Sequence, residues 1–163
     1  MKRFVLHLIV FLLFAALPFF VGCSSEEVEK KPAVADTEKL LSRVVVPESV
    51  EGQWKAVRIT VLNKESNSED TYTVDIGYGF NVSGSDVKLK VNAFLPSFVM
   101  KGKSLTSNSN NPDNPAVLIS LTEGDEEIFN GWLFSRFPGT HAFQHPRFSF
   151  TLVDFIPAPP KKG

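Results

Sequence analysis

From Val44 onward, apolar and polar residues alternate with a period of two, the pattern of strands with one buried face. Val57, Ile59 and Val61 fall on one face of Trp54 to Leu62, with Arg58 and Thr60 on the other. Tyr72, Val74, Ile76 and Tyr78 repeat the pattern, as do Val87, Leu89, Val91 and Ala93 against Lys88, Lys90 and Asn92. Phe98 and Met100 continue along an edge, and Ala116 to Leu121 is a short apolar strand. Ile128 to Phe134 and Arg147 to Phe155 are apolar on both faces, which predicts a central position for the former and a core hairpin formed by the pair. Val44 to Val46 is a short apolar run ended by Pro47.

Turn signals separate these runs. Asn63 to Asp70 is polar, Ser104 to Pro115 is rich in Ser, Asn and Pro and is expected to be a loop, and Glu123 to Glu126 is a hairpin turn. No stretch carries a sustained helical period. The expected fold is all-β: a single small β-sandwich or partly open β-barrel of about seven or eight antiparallel strands.

The front of the chain has a different grammar. Lys2 and Arg3 precede an apolar run from Phe4 to Val21, interrupted by His7 and free of Asp, Glu, Lys and Arg. Gly22 and Cys23 follow, and the chain turns polar at Ser24. A basic end, an apolar run and a small residue at the cut make a secretory signal peptide. Pro18 argues against an uncleaved spanning helix. Val21-Gly22-Cys23 resembles the bacterial lipoprotein signal, with Phe20 where that family usually has Leu. The resemblance implies cleavage before Cys23, acylation there and attachment to a membrane. Ser24 in place of Asp implies the outer membrane rather than inner-membrane retention.

The expected organisation is therefore a signal peptide at 1–22, a lipid-anchored tether at 23–43, a β domain at 44–156 and a frayed Pro/Lys tail at 157–163. Losing Lys2 and Arg3 with the signal moves the side-chain charge from −1 to −3, which gives no electrostatic reason to expect nucleic acid. Cys23 is the one Cys of the chain, so neither an intrachain disulfide nor a Cys-based metal site is available.

Candidate chemistry concentrates between Ile128 and Phe155. His141 and His145 stand four apart, a spacing that suits a metal on a helix. Pro146 holds His145 extended and works against that register, so a structural turn with His side chains bonded to backbone is the expected role. Trp132 and Phe134 point to one side and Phe129 and Leu133 to the other, as core residues or as a partner surface. Together with Phe137 they make Trp132, Phe137, His141 and His145 the candidate binding turn. Asn108 to Asn114 offers oxygen ligands, but its residues are also those that turns require. No Gly-x-Ser-x-Gly elbow or dinucleotide fingerprint is present.

Gly131-Trp132-Leu133-Phe134, Pro138, His141-Ala142-Phe143, His145-Pro146 and Leu152-Val153-Asp154 resemble a bacterial envelope domain of unknown function, over about residues 45 to 156. Trp54 to Val57, Phe94-Leu95-Pro96 and Asn114-Pro115-Ala116 fit it as well. The Asn-Pro-Ala and Trp-Leu-Phe strands also resemble the periplasmic portion of cytochrome c assembly proteins, which implies haem or metal handling by His141, His145 or Met100 as an alternative. The expectation is a non-enzymatic, cofactor-free binding or assembly module facing the periplasm, with an envelope protein as partner.

Overall fold

The computed structural model describes residues 44–140 and 143–160. Cys23, the signal, the tether and His141 lie outside them. The described residues are all-β, a small β-sandwich with a third sheet on its back. The strands are β1 (Val44–Val45), β2 (Trp54–Asn63), β3 (Ser68–Asp75), β4 (Gly79–Asn81), β5 (Val87–Leu95), β6 (Phe98–Lys101), β7 (Ser104–Ser107), β8 (Ala116–Glu123), β9 (Glu126–Phe134) and β10 (Phe148–Pro157). They form sheets of order β10-β2-β3, β4-β5-β8-β9 and β1-β7-β6.

Alternation explains how the four-stranded sheet can serve two cores. Val117, Ile119 and Leu121 of β8 face Val57, Ile59, Val61, Phe148 and Leu152 of the first sheet in the main core. The intervening Ala116 and Leu118 face the other way and join Leu95, Leu105, Trp132 and Phe134 in a second cluster. Val44 and Phe98 of the small sheet pack on that cluster. Burial of such side chains contributes about 1.5–3 kcal/mol each, so both layers hold the sheet in place.

Several expectations change here. β9 is an edge strand, not a central one, and β10 is an edge strand of a different sheet. β9 pairs with β8, and β10 pairs with β2, so the two do not form a hairpin. β9 is apolar on both faces because it lies between two cores; sheet centrality is not the cause. Leu133 and Phe129 belong with the main core and Trp132 and Phe134 with the second, as alternation requires.

In β5 a bulge after Val91 rotates the chain, so that Phe94 rejoins the main core and Ala93 turns to the second. Tyr78 leaves its expected face because Gly77, at φ 93°, turns the chain; Tyr78 is exposed. Ser104 to Ser107, expected as loop, is β7. Its hydroxyls bond backbone: Thr106 Oγ1 donates to Val45 O at 2.7 Å, and Ser107 Oγ donates to Ser109 O at 2.8 Å. Strand also starts earlier than expected at Ser68, after a turn with Asn67 at φ 51°. At the far end β10 reaches Pro157, one residue past the expected boundary, and Ala158 N donates to Gln53 O at 2.8 Å.

Candidate functional site

Of the expected binding turn, Trp132, Phe137 and His145 lie among the described residues, and these three do not assemble into one site. His145 is buried in the main core's margin. Its Nδ1 accepts from the backbone N–H of Arg147 at 3.1 Å and of Phe148 at 3.0 Å. A ring nitrogen that accepts two amides carries no proton, so in the neutral ring the proton sits on Nε2. Nε2 lies 3.9 Å from Glu123 Oε1. The ring stacks on Phe148, centroids 5.2 Å apart, and sits 5.9 Å from the Phe143 ring. The carbonyl of His145 accepts from Lys64 Nζ at 2.8 Å. His145 therefore fastens the entry to β10, and its accepting nitrogen is already committed to the backbone. Among the described residues no three His, Cys, Asp or Glu side chains gather as a metal group.

Phe137 is exposed and opens a turn in which its carbonyl accepts the Thr140 N–H at 2.9 Å. Among the described members, Trp132 lies at a cleft. The cleft holds about 400 Å³, within the range of ligand sites. Phe98, Met100 and Leu105 of the small sheet form one wall. Phe129 to Trp132 and Phe134 of β9 form the other, and Thr140 closes an end. Phe98 meets Trp132 and Phe134 edge to face, at 4.9 and 5.0 Å between centroids. Met100 is 67% exposed at the mouth.

The two tryptophans differ in one respect that matters. Trp54 Nε1 donates to Asn110 Oδ1 at 2.7 Å, which gives the Asn-rich loop a structural duty. Trp132, only 6% exposed, has no acceptor for Nε1, and the neighbouring Asn130 Oδ1 is also buried without a donor. A buried polar atom without a partner costs about 1–3 kcal/mol. Such atoms beside a cleft mark a place where a ligand gains what the free protein lacks.

A second depression, about 420 Å³, lies on the uncovered part of the same sheet, at Gly79, Lys88, Lys90, Ser120 and Thr122. None of the buried unpartnered side-chain atoms borders it. Sequence reasoning named Trp132 but missed Phe98, Leu105, Asn130 and Thr140 as its companions. The Ser/Asn composition around Leu105 hides it, and the alternation pattern places Phe98 only along an edge. No family model, curated protein or solved structure matches the chain.

Proposed function

We propose that this chain is a lipid-anchored, non-enzymatic binding or assembly module of the bacterial envelope, held at the outer membrane by acylated Cys23 and facing the periplasm. The cleft between β6 and β9 is its binding surface for an envelope partner. The run from Phe4 to Val21 followed by Gly22 and Cys23 supports the anchor. Each buried acyl CH₂ contributes about 0.8 kcal/mol, so several chains on one Cys hold a protein at a bilayer stably. The observation that carries the binding role is the unpartnered Trp132 Nε1 at an apolar cleft.

A photocrosslinking amino acid at Met100 tests this in cells. It should trap a discrete envelope protein, while the same group at exposed Val153 of β10 should not. Equal trapping at both positions, or none at Met100, sinks the reading.

Metal or haem handling is the second reading, and it now leans on Met100 at the cleft and on His141. His145 lends it no support, because its Nδ1 is bonded to backbone. Haemin or divalent metal added to the purified chain should produce neither a Soret shift nor a rise in melting temperature; either response would revive it.

A further inference from the structure

The shape of the cleft says more about its occupant. Consecutive strand residues point to opposite faces. Yet Phe129, Asn130, Gly131 and Trp132 all border this one cavity. A cavity that touches four consecutive strand residues reaches the strand's backbone N–H and C=O groups as well as the side chains of one face. β9 is the last strand of its sheet and pairs with β8 alone. Among the described residues no backbone group outside β8 bonds to β9's outer edge. Gly131 adds no side chain of its own there; the Phe129 ring lies where its Cβ would stand, 2.5 Å away.

The side-chain atoms beside the edge fit the same reading. Trp132 Nε1 is a donor and Asn130 Oδ1 an acceptor, both buried and both unpartnered. An acyl chain satisfies neither. An extended peptide offers a carbonyl and an N–H at every residue, and alternate side chains to fill an apolar pocket. The ends of the edge are charged. Glu126 and Glu127 are exposed before it and Arg136 after it, and among the described residues none of the three is in an ion pair. Glu127 precedes Asn130 by three residues, about 10 Å along a strand.

We propose that the cleft receives an extended peptide segment of a partner protein, laid along the edge of β9 at Phe129 to Trp132. One apolar side chain enters the cleft, and a basic side chain reaches toward Glu126 and Glu127. This rests on the cleft being the binding surface.

The test uses the full chain, purified in detergent and labelled with ¹⁵N. The probe is a blocked octapeptide of valine and threonine carrying one central phenylalanine and one lysine four residues from it. Two indole N–H signals are expected, with the Trp132 signal identified by its loss in Trp132→Phe. The peptide should move the Trp132 signal saturably and leave that of Trp54 in place. Met100→Asp should weaken binding about tenfold or more. Glu126→Lys with Glu127→Lys should reverse preference toward a peptide carrying glutamate in place of lysine. A stationary Trp132 signal, binding indifferent to Met100→Asp, or no reversal overturns the proposal. Decanoate moving the Trp132 signal where the peptide does not also overturns it, but leaves the cleft standing as a binding surface. Failure of crosslinking from Met100 removes that broader reading instead.

Discussion

His145 and Phe148 are joined twice: the Phe148 N–H donates to His145 Nδ1 at 3.0 Å, and the two rings stack at 5.2 Å. His145→Ala removes the acceptor of this buried amide and of the Arg147 amide, and the stack with them. The expected cost is about 1–3 kcal/mol, the penalty for leaving a buried donor unmade. Asn places Oδ1 at the same number of bonds from the backbone as His Nδ1. His145→Asn should therefore recover a large part of the loss. Urea unfolding of the two variants decides it, and equal destabilisation by Ala and Asn would show that the Nδ1 bonds contribute little.

The tryptophans should respond differently to one conservative change. Trp132→Phe deletes a donor that has no acceptor, so the penalty removed offsets part of the packing lost. Its stability should stay within about 1 kcal/mol of the parent. Trp54→Phe breaks a 2.7 Å bond and leaves Asn110 Oδ1 without its donor, so it should cost more. Trp132→Ala, which leaves a cavity in the second core, should cost about 3–5 kcal/mol. Thermal melts of the three variants check the order, and Trp132→Phe proving the costlier of the two Phe variants would falsify the account of its free N–H.

Two glycines lie in strands for different reasons. A Cβ at Gly79 would stand 2.3 Å from the carbonyl oxygen of Leu89, a backbone atom in the paired strand that cannot swing aside. Gly79→Ala should therefore cost about 1–3 kcal/mol, as overpacking does. At Gly131 the obstacle is the far end of the Phe129 side chain, which can rotate. Gly131→Ala should cost less than Gly79→Ala in the same denaturation assay; the reverse order would mean that the Phe129 ring is held more rigidly than the β4–β5 pair.

Cys23→Ala should leave an unlipidated precursor in cells. Metabolic labelling with a radioactive fatty acid reads this directly. Equal incorporation by the variant would rule out Cys23 as the acylated residue.

Much of the strand pattern was legible because burial on one face writes itself into every second residue. Val57, Ile59 and Val61 share the main core as their spacing predicts, and so do Tyr72, Val74 and Ile76. Pairing was not legible. Ile128 to Phe134 reads as central from its apolar faces, but sidedness reports how many layers cover a strand and says nothing of its neighbours. The bulge after Val91 breaks its period without a composition signal, whereas Gly77, Gly79 and Gly84 mark a turn region whose first residue the period of Tyr72 to Tyr78 runs past. The cleft was half legible. Trp132 stands out by type, whereas Leu105 and Asn130 acquire meaning only when β7 and β9 come together across the second core. His145 was visible as unusual, and its bonding to backbone follows from the local sequence His-Pro-Arg-Phe that leads into β10.

The brevity of β1 has a mechanical consequence. Among the described residues, a pull applied at Val44 enters the fold through two residue pairs, Val44 with Leu105 and Val45 with Thr106, with the Thr106 hydroxyl on Val45 O and the packing of Val44 on the second cluster. Short edge pairings open well before a whole domain does. The turn at Pro47 to Gln53 stands between β1 and β2, with Val50 N and Glu51 N donating to Pro47 O at 2.8 and 2.9 Å, so the main core stays out of the load path. Tension would peel Val44 from Leu105, a wall of the cleft, before it reached any strand of the sandwich. The molecule thus couples force at its leading end to the packing around Trp132.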